Sequence, residues 1–233
     1  MTAGGTAAPG GTSAPGPPRD TSTPTRLLLA CGIAAPAVFW ALGAAAALSW
    51  PGYSPVSGSI SSLIFAPEGW LQVDAFILMA ALTAAFGVGM GRIAGATGRD
   101  RLLVRRSILV LAGIELGFAL FPTDPGEGLG TVATLHGSLH MLCVVAWAVV
   151  FPVLAFGLAR ILRRDPPWRR AGVLTDLVAV TMVVAIGGVL LVVAGPLGDW
   201  TGLLERVWVA IPSLWLAGLS LHGLLVAAGR IRG

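Results

Sequence analysis

The chain has 233 residues, of which 55% are hydrophobic and only 11% are charged, and its mean hydropathy is +0.84. Soluble domains carry about 25% charged residues, so this composition argues against a water-soluble fold and favours a polytopic membrane protein. The formal net charge of +4 comes from arginine without any lysine, and the arginines are scattered between apolar runs. Scattered arginines do not form the basic face that nucleic acid binding requires, and they indicate membrane lipids as partners.

Residues 1–25 are rich in Gly, Pro, Ala, Ser and Thr, which predicts a disordered cytoplasmic tail. The remainder, residues 26–230, contains six apolar runs bounded by charges, each long enough to cross a hydrocarbon core of roughly 30 Å. Strands with open edges would leave backbone groups unpaired in lipid, so the expected fold is an all-α six-transmembrane-helix bundle. The third run is the weakest, because Arg105 and Arg106 occupy its start. The predicted helices cover about 27–48, 70–93, 102–121, 133–158, 172–195 and 204–228.

The arginines also predict an orientation. Fourteen of the fifteen fall in the two terminal segments and in the loops after the second and fourth helices, and only Arg206 falls on the opposite side. By the positive-inside bias, both termini are cytoplasmic and the protein lies in the plasma membrane. Aromatic residues occupy the places where an outer belt belongs, namely Trp50, Tyr53, Trp70, Trp200 and Trp208.

Ionisable residues within apolar helices are costly to insert and therefore mark candidate sites. Glu115 lies about 9 Å from the outer end of the third helix. His136 and His140 share a face of the fourth helix, and His140 lies at about the depth of Glu115. Asp74 lies near the outer end of the second helix, and Asp124 precedes the histidine helix. If these helices pack together, all five residues converge in a ligand pocket just below the outer surface.

Three interpretations of this cluster stay open. The side chains could form plain hydrogen bonds between helices, line a polar ligand pocket, or hold zinc through His136 and His140. A zinc site would need Asp124 or Glu115 as third ligand or catalytic base, because no third histidine lies on this side. Ser57 is a further candidate nucleophile, with His136 as its base, although Ser57 and Ser61 capping the chain before the second helix is the simpler explanation.

On the inner side, Asp176 and His222 lie at comparable depths in the fifth and sixth helices. A hydrogen-bonded pair would satisfy both groups, so we expect a structural pair there.

Several motifs resemble one family. Pro55-Val56-Ser57, Gly69-Trp70-Leu71-Gln72, Phe121 to Pro125, His136 and the stretch 202–206 are similar to the bacterial and archaeal membrane proteins grouped as domain of unknown function 998. The resemblance covers about residues 27–229 and implies six helices without an established activity. The serine, aspartate and H-x-x-x-H content also resembles the alkaline ceramidase and adiponectin-receptor hydrolases, although those have seven helices and a third histidine.

The leading functional hypothesis is a multi-pass membrane protein with an outward-facing polar pocket that serves binding, transport or an accessory role. One alternative is an intramembrane metal-dependent hydrolase of lipid amides or esters, with zinc as cofactor. The other is a small secondary transporter, for which Pro36 and Pro212 are the only candidate helix breaks in matching halves.

Overall fold

The computed structural model describes residues 18–125, 134–194 and 198–231. These ranges contain six α-helices and three short 3-10 helices, the latter at Ser61–Phe65, Pro166–Trp168 and Gly198–Trp200. The α-helices are α1 Thr23–Leu48, α2 Trp70–Ile93, α3 Gly98–Leu120, α4 Leu135–Arg164, α5 Arg169–Ala194 and α6 Thr201–Ala227. The helical expectation is confirmed, and the differences from the predicted bounds have local causes.

Capping explains where α3 begins, and proline explains where α4 ends. The Thr97 hydroxyl accepts a hydrogen bond from the Asp100 N–H while the Asp100 carboxylate accepts from the Thr97 N–H, so α3 starts four residues earlier than expected. At the same end of the bundle, α4 runs six residues past residue 158 to Arg164. The two prolines that follow, Pro166 and Pro167, cannot continue a helix.

The last residues of the predicted tail belong to the folded part of the chain. Residues 1–17 lie outside the described residues, but residues 18–22 contact the bundle and α1 already begins at Thr23. Asp20 accepts hydrogen bonds from the Thr25 hydroxyl at 2.6 Å and from the Ser22 N–H at 3.0 Å, and these bonds lower the pKa of Asp20 to about 2. Composition alone assigned these residues to the tail because polar contacts with distant helices leave no local pattern.

The six helices form a ring in chain order. Each helix packs on the next one along the chain, and α6 closes the ring by packing on α1. Gly117 provides one close approach, since a Cβ there would lie 2.6 Å from Cys143 Sγ on α4. Gly113, four residues earlier, faces open space, so only Gly117 of this small-residue pair serves helix packing.

The arginine-rich segments meet at one end of the ring. Arg19 pairs with Asp165 after α4 and donates to the Ile93 carbonyl at the end of α2, and Arg26 donates to the Ala227 carbonyl at the end of α6. This half of the bundle also contains many of the largest fully buried side chains. Its largest fully buried side chains are Leu29, Phe86, Met90, Ile93, Leu158, Leu162 and Trp168.

Within the described residues, five of the six α-helices are long and apolar enough to cross a membrane, namely α1, α2, α4, α5 and α6. Helix α3 falls short because its first turns carry Arg99, Asp100, Arg101, Arg105 and Arg106 and its second half carries Glu115. These helices support an integral membrane protein, as the composition predicted.

Candidate ligand cavity

A cavity of about 280 Å³ lies inside the ring, in the half away from the arginine-rich end. It extends from the loop before α2 to Ile108 and Phe151, which lie near the middle of α3 and α4. Among the described residues, every helix except α5 contributes to its wall. The wall is mainly apolar and includes rings from five helices: Phe39, Phe76, Phe118, Trp147, Trp208 and Trp215.

Glu115 lies on the cavity wall, as the sequence analysis expected of a pocket residue. Its side chain is only 6% exposed, and its Oε2 atom has no hydrogen-bond partner. Thr83 on α2 interacts with the carboxyl group, yet Thr83 Oγ1 also lacks a hydrogen bond of normal geometry. A buried polar atom without a partner costs about 1–3 kcal/mol, so this corner of the cavity holds unused hydrogen-bonding capacity.

His140 also lines the cavity, at its outer end. The ring is 3% exposed, packs edge-on against Phe118 at 5.4 Å, and lies with Nδ1 2.8 Å from the Phe121 carbonyl oxygen. A carbonyl only accepts hydrogen bonds, so Nδ1 must donate the proton, and in the neutral ring Nε2 is then an acceptor. Phe121 is six residues beyond Glu115, or about 9 Å along the helix axis, so His140 and Glu115 do not lie at the same depth.

The other three residues of the expected pocket lie elsewhere. His136 is exposed. It lies one helical turn, about 6 Å, before His140, the residue that joins α4 to the end of α3. Asp74 is half-buried and does not line the cavity. Asp124 accepts hydrogen bonds from the Thr134 N–H at 3.0 Å and the Thr134 hydroxyl at 2.6 Å, so it supports the start of α4. The structure therefore brings together two of the five residues.

The zinc hypothesis gains no support from this arrangement. Within the ranges that the structure describes, no group of three or more His, Cys, Asp or Glu side chains could hold a metal ion. His136 and His140 share a helix face by spacing, but one is exposed and the other is buried against α3. The hydrolase alternative therefore gains no structural support from the part of the chain that the structure describes.

The serine-rich loop forms the outer wall of the cavity. Ser57 lines the cavity but is exposed, and its backbone N–H donates to Ser54 Oγ. Helix α2 begins without a side-chain cap. The turn that leads into the preceding 3-10 helix is bonded by a different serine, since Ser59 Oγ accepts from the Ser62 N–H at 3.1 Å. Ser61 and Ser57 are therefore not the capping side chains that the sequence analysis named.

Arg206 fixes this loop. From the sequence it stands out only as the single arginine predicted on the outer side. Its guanidinium donates to the carbonyl oxygens of Pro55 and Gly58 at 2.9 and 2.8 Å and to the Tyr53 hydroxyl. The neighbouring Glu205 accepts from the Ile60 N–H at 2.7 Å. Because a single arginine on the outer side departs from the positive-inside bias, the sequence indicates that Arg206 has a structural role.

Trp208 and Thr83 are the other cavity residues that sequence reasoning missed. Trp208 was predicted for the outer aromatic belt, but it is 9% exposed, faces the cavity, and leaves its Nε1–H without a partner. A tryptophan near a helix end has the same local sequence pattern whether it lies in the aromatic belt or on the cavity wall. Only the packing of α6 against α1 and α5 decides which way the ring lies.

The expected inner pair of Asp176 and His222 is not formed. Asp176 pairs with Arg163, which the antiparallel α4 and α5 bring next to it, while His222 Nε2 lies 2.8 Å from the Pro167 carbonyl oxygen. The His222 ring also packs on Trp168 at 4.9 Å. Asp176 and His222 lie at similar depths along α5 and α6, but their side chains face different neighbours.

Comparison with known proteins gives one match. No curated protein and no solved structure matches the chain. A family model matches residues 33–222, a range that includes Glu115, His140, Arg206 and the whole described cavity wall. The chain thus belongs to the family described as protein of unknown function (DUF998).

Proposed function

We propose that this protein crosses the plasma membrane six times, with both termini cytoplasmic, and binds a small, mainly apolar ligand in the cavity of its outer half. The observation that carries the proposal is the set of buried polar atoms without partners on an apolar cavity wall, namely Glu115 Oε2, Thr83 Oγ1 and Trp208 Nε1. Each would gain a hydrogen bond from a ligand placed there.

Size and polarity favour an organic ligand over water alone. A volume of about 280 Å³ corresponds to roughly nine water molecules at 30 Å³ each. Water in such a space needs two to four polar partners per molecule, whereas aromatic rings form much of this wall. An apolar body with one polar group matches the wall better, because it contacts the rings and the polar corner together.

The protein's own hydrogen bonds hold the wall on the outer side. Glu205, Arg206 and Tyr53 hold the loop of residues 53–60 against α6, and Leu203 adds a backbone hydrogen bond to the Val56 carbonyl at 2.9 Å. A wall restrained by such bonds lowers the entropic cost of binding. Transport would need this wall to change its arrangement. The transporter hypothesis also requires a broken helix, but α1 and α6 continue through Pro36 and Pro212.

The binding experiment uses 2-(4-bromophenyl)ethanol, a probe of ten heavy atoms whose bromine quenches tryptophan fluorescence on contact. With the full chain in lipid nanodiscs, we expect a saturable quenching component from Trp147, Trp208 and Trp215, which line the cavity. Partitioning of the probe into lipid gives only a linear component.

Matched variants of α4 separate the cavity from the lipid-facing surface. Val144 lines the cavity, whereas its neighbour Val145 is 55% exposed on the outside of the bundle. We expect Val144→Phe to abolish saturable quenching because it fills the cavity, and Val145→Phe to preserve it. Saturable quenching that survives Val144→Phe, or that is absent from the unmodified protein, would contradict the proposal.

A further inference from the structure

The charges around the cavity are unbalanced. Its described wall contains the carboxyl groups of Glu115 and Glu205 and the imidazole of His140, but no arginine. Glu205 is engaged by the Ile60 N–H, whereas Glu115 has an unpartnered oxygen and only Thr83 beside it. The cavity therefore offers one carboxyl group for which the described wall supplies no cation.

The arginines within the described ranges do not fill this gap. Arg206 is the outer arginine, and its guanidinium bonds the 53–60 loop and stacks over Tyr53 at 5.6 Å. The described ends of α2, α4 and α6 that carry other arginines meet at the opposite end of the bundle. Among the described residues, no arginine therefore provides a counter-charge for Glu115, and a cationic ligand would supply one.

Aromatic rings line the same cavity as Glu115. Phe118 lies one helical turn beyond Glu115 on α3, and it packs on Phe76 of α2 at 5.7 Å. Trp147 on α4 and Trp208 on α6 contribute further rings to the same wall. The faces of aromatic rings attract organic cations by about 0.5–2 kcal/mol, most strongly where water is excluded.

We propose that the ligand is a hydrophobic organic cation, an amine in its protonated form, whose ammonium group pairs with Glu115 and whose apolar body lies against the aromatic wall. This inference rests on the proposed binding function and names the ligand class of the same cavity. The ammonium group supplies the hydrogen-bond donors and the charge that Glu115 lacks, and the rings contact the rest of the molecule.

The test compares three probes of nearly equal size and shape in nanodiscs: 2-(4-bromophenyl)ethylamine, 2-(4-bromophenyl)ethanol and 3-(4-bromophenyl)propionate. We expect the amine to show a dissociation constant at least tenfold lower than that of the alcohol, and the propionate to bind least. In Glu115→Gln the amine and the alcohol should bind within about twofold of each other, because the amide keeps the shape and removes the charge.

Glu68→Gln is the matched control, because Glu68 is an exposed carboxylate that bonds Trp70 outside the cavity wall. It should leave the tenfold preference unchanged. Equal binding of amine and alcohol by the unmodified protein would overturn the cation proposal while the cavity function stands. Absence of saturable binding for all three probes would overturn both. If Glu115→Gln does not fold, the amine-to-alcohol ratio of the unmodified protein decides the question alone.

Discussion

The position of the Asp124 carboxylate depends on a glycine, because only a residue without a side chain leaves room for it. The carboxylate lies against Gly137 in the first turn of α4, at a place where a Cβ would overlap it. From there it accepts both hydrogen bonds of Thr134, whose own hydroxyl accepts from the Gly137 N–H at 3.1 Å. A negative charge at a helix amino terminus is also favoured by the helix dipole. The sequence alone identified an acidic residue before a histidine helix and assigned it to the pocket.

Replacing Gly137 by alanine should therefore lower stability, because the added methyl group forces the carboxylate or the helix turn to move. We expect a loss of about 1–3 kcal/mol, measured as a lower thermal unfolding midpoint in detergent. Gly157 on the same helix faces open space and provides the control. Gly157→Ala should be neutral or stabilising, since alanine is the better helix former. Equal effects of the two substitutions would contradict this description of Asp124.

Between elements, the 53–60 loop depends on α6. Three of its carbonyl or N–H groups bond to side chains of Glu205 and Arg206, and the Tyr53 hydroxyl donates to the Ser59 carbonyl at 2.7 Å. Gly202 allows this contact, because a Cβ there would overlap the Gly58 carbonyl. The loop and α6 together form the outer wall of the cavity.

Arg206→Ala should release this loop without unfolding the bundle. The backbone amides of residues 53–60 are expected to exchange hydrogen at least tenfold faster, since two bonds to loop carbonyls and the Tyr53 contact are lost. Hydrogen exchange followed by mass spectrometry measures this difference. Arg169→Ala, at an exposed arginine of the opposite end, is the control and should leave these amides unchanged. Unchanged exchange in Arg206→Ala would mean that other contacts hold the loop.

A second contact between elements closes the arginine-rich end. Asp165 is 2% exposed, pairs with Arg19, and accepts from the Gly95 N–H at 3.0 Å, so one carboxylate joins the amino-terminal segment, the α2–α3 turn and the end of α4. The pair of Arg163 and Asp176 is much more exposed and provides a comparison within the same protein.

Removing Arg19 should cost more stability than removing Arg163. Arg19→Ala leaves a buried carboxylate without its cation, for which we expect a loss of about 3 kcal/mol. Arg163→Ala breaks an exposed pair, for which about 0–1 kcal/mol is expected. Thermal unfolding of both variants in detergent provides the comparison, and a similar loss in both would show that burial of Asp165 does not strengthen its pair.

For the whole molecule, the two ends of the ring differ in packing and charge. The arginine-rich end is closed by large buried side chains and ion pairs, whereas the other end holds the cavity and the 53–60 loop. If the arginine-rich end faces the cytoplasm, the cavity lies in the outer half of the membrane. A ligand could then reach it from outside the cell or from the outer leaflet.

Cysteine labelling tests this orientation in intact cells. In a Cys31→Ser, Cys143→Ser background, a cysteine replacing the exposed Glu68 should react with a membrane-impermeant maleimide, because it lies near the 53–60 loop. A cysteine replacing the exposed Arg169 should react only after the cells are made permeable. The reverse pattern would show that the arginine-rich end faces outward, against the positive-inside bias.

The sequence by itself determined the helices, because apolar length and terminal charges are local properties. Helix α2 has the predicted bounds of 70–93, and the errors elsewhere arise from caps and prolines within a few residues of the helix ends. The resemblance carried by Gly69-Trp70-Leu71-Gln72 and Phe121 to Pro125 also led to the family. The weakness of the third run persists in α3, which falls short of the apolar length that the other five reach within the described residues.

Only the tertiary structure decided which side chains share the cavity. Glu115 and His140 were both predicted pocket residues, but their positions against α2 and Phe121 depend on how α3 and α4 are rotated and shifted along their axes. His136 and Asp124 follow the same local rules and lie outside it. Spacing along one helix fixes the face that residues share, whereas the neighbour that covers this face is set by packing between helices distant in sequence.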